Sequence, residues 1–324
     1  MMNSVTEFIQ NGVQAHERGN INEAIYAYQS AIDMDQKNAT AHNNIGFAYG
    51  QIKEWQKARF HLEEAIRLNE SMANAHANLG QILAAQGKAE RGISALRKAT
   101  ELESDNAQHW NNLARVYFSV EDFQQAEYAW HRALGIEPGD NAIRTSLATA
   151  IVAQQRFSEA HRLFDQVIEC QPDFQAAWAQ KGLALFLEND FGSARKCLQV
   201  ALQLNANDYT ALRHLALLSI ASKDNSAAYH YMQQLCECFP QEQGLQVDLA
   251  VLELGLDKKV EACQRLAKAN EWLNDSRTLY YYAVSLKETG GDYAHIEKLL
   301  QQVQERQDEY LQRATKSLES LTLN

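Results

Sequence analysis

Three asparagines recur at a fixed interval: Asn44, Asn78 and Asn112 stand 34 residues apart, and Asn43 and Asn111 precede two of them. A carboxamide carries a donor and an acceptor together, the same pair that a peptide group offers. A row of carboxamides can therefore hold a polypeptide by its main chain without reading its side chains. The other residues with reactive potential sit at unproductive spacings. Cys236 and Cys238 are separated by one residue, wrong for a redox pair or a zinc ribbon, and they end a helical pattern just before Pro240. His42 and His76 are 34 residues apart, which is not metalloprotease spacing, and both fall where a side chain packed between helices is expected. Gly290-Gly291 is an isolated turn and not a phosphate-cradling loop. Carboxylates such as Glu63, Glu64 and Glu297 read as solvated helix faces. No catalytic residue, metal site or cofactor is expected.

The elements that position the asparagines are helices. The chain has 324 residues with only 3 Pro and 15 Gly, and Ala, Leu, Gln, Glu and Lys dominate it. Those residues lose little on entering a helix, so an all-α protein is expected. The segments AHNNIGFAYG from Ala41, AHANLGQILA from Ala75 and HWNNLARVYF from His109 align at the same 34-residue spacing. Each is followed by a second helical stretch: KARFHLEEAIRLN, ERGISALRKATEL and QAEYAWHRALGIEP. Asp140-Asn141 and Pro172-Asp173 separate successive units, and Asp122, Asn189 and Asp190 mark turns within them.

Within each period, small and bulky residues recur in one register. The fourth unit has Trp110, Leu113, Ala114, Tyr117, Ala126, Trp130, Ala133 and Pro138 at its positions 4, 7, 8, 11, 20, 24, 27 and 32. The second supplies Ile45, Gly46, Tyr49, Ala58, Leu62 and Ala65, and the sixth Trp178, Gly182, Ala194, Leu198 and Ala201. The third has Gly92 in place of Ala. This pattern resembles the tetratricopeptide repeat family. The resemblance implies a right-handed superhelical solenoid of antiparallel helix pairs, in which the small residues let paired helices A and B approach and the large ones fill the gaps. It covers residues 5–304 as one solenoid. Units lie near 5–38, 39–72, 73–106, 107–140, 141–174, 175–208, 209–242 and 243–276, with a degenerate ninth at 277–304 where one extra residue breaks the register. Residues 305–324 are expected to form a capping helix and tail, with Tyr310, Leu311, Ala314, Leu318 and Leu321 on one face.

In the family the A helices line the concave surface, and the resemblance places two chemistries there. The first half offers Asn43, Asn44, Phe47, Asn78, Gln81, Asn111, Asn112, Arg115 and Phe118. This column resembles the asparagine ladder in the repeats of O-linked N-acetylglucosamine transferases, whose amides hold the backbone of an extended peptide. It is short, because the equivalent positions become Ser146, Gln180, His214 and Asp248. The alternative is that these asparagines are ordinary polar surface residues of the consensus. The second half offers Leu183, Phe186, Leu187, Leu217, Ile220, Val247, Val251 and Leu254. An apolar stripe of this kind suits a partner's amphipathic helix, the chain's own last helix or a second copy, unless tighter packing buries it. The two-carboxylate clamp that receives acidic chaperone tails lacks its basic members here: Ile9, Val13, Asn44, Asn74 and Asn78 occupy the positions.

The formal net charge of −11 and the lack of a Lys/Arg cluster argue against nucleic acid as a partner. Apolar runs such as Leu215–Ala221 are far shorter than the ~20 residues that cross a bilayer, so no membrane insertion is expected. Glu7 and Asn11 interrupt any secretory core near the start, and five cysteines within helical patterns suit a reducing compartment, so a cytoplasmic address is expected. The expected function is that of a non-catalytic interaction scaffold or adaptor holding a protein or peptide in its groove. The alternatives are a homodimer formed through the apolar half, or a recognition subunit of a glycosyltransferase or a secretion or assembly machine.

Overall fold

Two side-chain sizes set the architecture: small residues where paired helices touch, and one large residue where they part. A computed structural model describes residues 4–306 and 309–322, without the side chains of Leu311 and residues 318–322. The described residues form helices and turns only, and the chain divides into two compact units, Met1–Gln171 and Pro172–Asn324.

In the first unit five hairpins follow one another. They are α1 (Val5–Glu17) with α2 (Ile21–Met34), α3 (Ala39–Gln51) with α4 (Trp55–Leu68), and α5 (Ala73–Ala85) with α6 (Ala89–Leu102). Next come α7 (Ala107–Ser119) with α8 (Phe123–Ile136) and α9 (Asn141–Ala153) with α10 (Phe157–Cys170). The second unit has α11 (Gln175–Leu187) with α12 (Phe191–Leu204), and α13 (Tyr209–Ala221) with α14 (Asn225–Cys238). It continues with α15 (Gln243–Gly255) and α16 (Lys259–Asn270), α17 (Ser276–Glu288) and α18 (Tyr293–Glu305), and ends with α19 (Leu311–Thr322). This is an all-α helical solenoid, and within each unit every helix packs on the next.

Burial follows the expected register. Ala58, Ala65, Ala126, Ala133, Ala160, Ala194 and Ala201 are fully buried between helices, as are the large Leu62, Phe164 and Leu198. The third hairpin is the tightest. Gly80 and Gly92 face each other so closely that a Cβ on either would stand 2.8 Å from the other's carbonyl oxygen. Neither position tolerates a side chain without the helices separating.

Every hairpin turns by the same device. The second residue after helix A adopts the left-handed conformation: Gly19, Lys53, Gly87, Glu121, Gln155, Asn189, Lys223, Asp257 and Gly290. The next amide then reaches back to satisfy a carbonyl of the last turn, as Glu54 does to Tyr49 at 3.0 Å and Lys258 to Glu253 at 2.9 Å. In the ninth hairpin Gly291 makes that bond to Leu286, and Asp292 caps α18 one residue later than its counterparts do. The extra residue sits there.

The loops between hairpins are stapled by repeat position 4. His42 Nε2 bonds the Gln36 carbonyl at 3.2 Å, His76 Nε2 that of Glu70 at 3.0 Å, and Trp110 Nε1 that of Ser104 at 2.9 Å. Arg144 bonds the Pro138 carbonyl, and Trp178 Nε1 that of Pro172 at 2.9 Å. Each N–H satisfies a loop carbonyl just beyond a helix end. In these five units the slot holds a ring or guanidinium that donates as well as packs, whereas the seventh holds Leu212 there.

At the C-terminal end Tyr310 and Ala314 join a core with Leu279, Ala283, Ile296, Leu299, Leu300 and Val303, so α19 packs on the last hairpin. The packing expected of Leu311, Leu318 and Leu321 lies outside the described residues. Among the described residues no helix is long and apolar enough to cross a membrane.

Candidate functional site

In the first unit α3, α5 and α7 touch in turn, so their shared face forms a wall. A cleft of about 480 Å³ opens along it. Of the residues singled out by sequence, Phe47, Asn78, Gln81, Asn112 and Arg115 line this cleft, joined by Gly50, Gln51, Ile82, Ala84, Ala85, Val116 and Ser119. Asn43, Asn44, Asn111 and Phe118 do not. They support the lining residues or pack beside them.

The support is a chain of amides. Asn78 Nδ2 donates to Asn43 Oδ1 at 2.9 Å, and Asn43 Nδ2 donates to Asn44 Oδ1 at 3.1 Å. Gln108 Nε2 donates to Asn112 Oδ1 at 3.0 Å, while Asn112 is only 5% exposed. Asn111 Oδ1 accepts from Trp130 Nε1 at 2.9 Å, and Phe118 packs its ring against Phe123 and Trp130. Each cleft amide thus has one group fixed by the protein and others unspent. Among the described residues, nothing donates to Asn78 Oδ1 and nothing accepts from Asn112 Nδ2. A buried or half-buried amide with idle groups is costly unless water or a ligand supplies partners.

Beyond Asn112 the wall changes. Thr145, Ser146 and Thr149 in α9 donate their hydroxyl protons to carbonyls of their own helix, at 2.8, 2.9 and 2.9 Å. These hydroxyls can accept but have no proton left to give.

His16 was missed by sequence reasoning. Its ring stacks on Phe47 with centroids 5.3 Å apart and planes 10° from parallel. The signal was available in principle: His16 holds position 12 of the first repeat, one of the groove-facing positions.

Behind the wall His42 and His61 meet, Nδ1 to Nδ1, at 3.0 Å. His42 Nε2 faces the Gln36 carbonyl, which can only accept, so His42 carries its proton there and its Nδ1 offers a lone pair. His61 must then donate from Nδ1. Burial, and next the neighbouring His42, lower the His61 pKa to about 4. His61 is therefore neutral at ordinary pH, and its contact with His42 is structural.

In the second unit the corresponding positions are apolar. Leu187, Leu217 and Ile220 are exposed, at 51%, 39% and 43%, while Leu183, Phe186, Val251 and Leu254 are half-buried. Val247 is 1% exposed and belongs to the core with Ala250, Ala262, Leu266 and Ala269, so the stripe does not include it. Val251 and Leu254 lean on that core together with Leu273, Tyr281 and Tyr282. Glu253, fully buried, is held by Arg265 through two bonds of 3.0 Å, and Arg265 also reaches Gln246 at 2.6 Å. Burial opposes the Arg265 charge, but the bonds and attraction of Glu253 outweigh it and raise its pKa.

The thiols Cys170, Cys197, Cys236, Cys238 and Cys263 form no disulfide. Burial pushes the Cys236 thiol up to about 11, and its Sγ donates to the Leu245 carbonyl at 3.3 Å, so it is an inert packing residue. Among the described residues no cluster of three or more His, Cys, Asp or Glu side chains could hold a metal ion.

Helix pairs of nearly constant length, one left-handed turn residue each and a 34-residue period define a repeat architecture. Models of the tetratricopeptide repeat match residues 14–53, 48–101, 78–141 and 117–183, a continuous span over just more than half of the chain. The chain is a tetratricopeptide repeat protein. Solved structures with the same fold include a tetratricopeptide repeat protein from Parabacteroides merdae. That protein is 12% identical, with a TM-score of 0.65 over 76% of this chain and 98% of the other. Another is pilF of Pseudomonas aeruginosa, 20% identical with a TM-score of 0.53 over 65% of this chain and 96% of the other. At these identities the likeness is one of fold. No curated protein matches the chain.

Proposed function

We propose that this repeat protein is a non-catalytic interaction scaffold, and that its first unit holds an extended polypeptide by the main chain along α3, α5 and α7. The observation that carries the reading is the amide arrangement at Asn78. Asn43 fixes its orientation, and its carbonyl oxygen and second N–H are left to the cleft. Asn112, one repeat on, is fixed by Gln108 in the same manner. Two pre-oriented amides match the donor and acceptor of a peptide group and lose little freedom on engaging one. Replacing both (Asn78→Ala with Asn112→Ala) should weaken partner binding by on the order of 1–3 kcal/mol, measured by calorimetry on a captured partner. An unchanged affinity removes the amides from the account.

A second surface has its own support. Leu187, Leu217 and Ile220 are each exposed on α11 and α13 of the second unit, and exposed large apolar side chains of this kind suit an interface with a protein surface. If a second copy covers it, sedimentation at micromolar concentration shows a dimer that Leu217→Glu with Ile220→Glu dissociates. A wild-type monomer rules the dimer out.

A further inference from the structure

Arg115 lines the first-unit cleft. Among the described residues it makes no ion pair, hydrogen bond or ring contact, and the other residues lining the cleft are uncharged. The chain has acids to spare, 41 against 30 basic residues. Some of its other arginines are paired with acids, Arg67 with Glu64, Arg156 with Glu127 and Glu159, and Arg265 with Glu253, while Arg144, Arg195, Arg213 and Arg306 bond neutral groups. Arg115 is distinguished by its place, as the one charge among the described residues on the lining of the cleft. A guanidinium stays charged at any working pH and presents a fork that fits a carboxylate. Arg115 is exposed in the cleft, where solvent serves it until a ligand carboxylate takes that place.

We infer that the polypeptide segment held by the first unit carries one acidic side chain, seated on Arg115 between the main-chain contacts of Asn78 and Asn112. This rests on the groove reading above and adds the segment's chemistry to it. The acid is taken as an internal Asp or Glu, and a C-terminal carboxylate is the rival that the test below separates from it. The rest of the segment is neutral or basic. The net charge of −11 disfavours a strongly acidic partner at long range, whereas fields fade over about 8 Å at physiological ionic strength, so a single carboxylate responds chiefly to Arg115. Phe47 and Ile82, in the same cleft, offer apolar contact to a neighbouring side chain.

The test is an array of short peptides of uncharged sequence, each carrying a single Asp, Asn or Lys at varied positions, with free or amidated C-termini. It is probed with the full chain, with Arg115→Glu, and with the Asn78→Ala, Asn112→Ala double variant. The full chain should favour Asp peptides about tenfold over their Asn counterparts, whether or not the terminus is amidated. Arg115→Glu should transfer the preference to Lys peptides, a gain that only a folded protein can show. A preference confined to free C-termini overturns the internal acid. Equal binding of Asp and Asn peptides, indifferent to Arg115→Glu but lost in the double variant, overturns the role of Arg115 and leaves the groove reading standing. Binding that survives the double variant, or no binding of any peptide by the full chain, overturns both.

Discussion

The two units use the same hairpin at the same period, yet their inner faces are built from opposite materials. On the first, Asn78 and Asn112 are held by Asn43 and Gln108 with hydrogen-bonding groups to spare. On the second, Leu187, Leu217 and Ile220 take the exposed places, and the polar groups are spent internally, Arg265 on Glu253 and Arg277 on Asp248. The difference teaches that the period fixes where a side chain stands and leaves open what it does. A polar face with unspent groups suits a ligand's main chain, and an apolar face suits another protein's surface.

The sharpest break in this comparison is at Glu253. It is fully buried against Arg265, and removing one partner of such a pair leaves a charge without compensation. Glu253→Gln should cost about 3 kcal/mol in denaturant unfolding, with no effect on peptide binding by the first unit. A loss below about 0.5 kcal/mol, the range of ordinary surface changes, would show that the second unit does not depend on its internal pair.

A smaller effect tests the first unit through pH. The His61 pKa in the folded protein, about 4, lies below the ordinary 6.5. The unfolded chain therefore binds the proton first, and stability present above pH 6.5 is lost as pH falls toward 4, below which the loss levels off. Partial exposure discounts the effect to about 2 kcal/mol. Unfolding curves across this window should flatten in His61→Gln. A residual slope belongs to His214, whose pKa is also lowered, chiefly by burial, and toward pH 4 to carboxylates with lowered pKa values such as Glu64, Glu127 and Asp190. Identical curves for wild type and variant would contradict a His61 held neutral by its burial.

The register was legible in sequence because it depends on volume. Ala126, Trp130 and Ala133 announce a helix face whatever their rotamers, and the structure buries all three. The single extra residue of the ninth unit was visible for the same reason. Three features were not legible because they depend on direction. The bond from Asn78 to Asn43 joins side chains 35 positions apart and requires both rotamers. Val247 occupies a groove position by count, yet the packing of α15 turns it into the core. Position 4 was read as a packing slot, whereas His42, His76, Trp110, Arg144 and Trp178 also donate to the preceding loop. Spacing locates a residue, and neighbours decide its hydrogen bonds.

The central claim is that the first unit grips main chain. The direct measurement takes an array-selected peptide and replaces its amides one at a time by esters, which deletes an N–H donor and keeps each side chain. Esters facing Asn78 Oδ1 should weaken binding about fivefold in wild type, and should make no difference once Asn78 is Ala. If every ester binds as the parent peptide does while side-chain truncations abolish binding, the groove reads side chains and the claim fails.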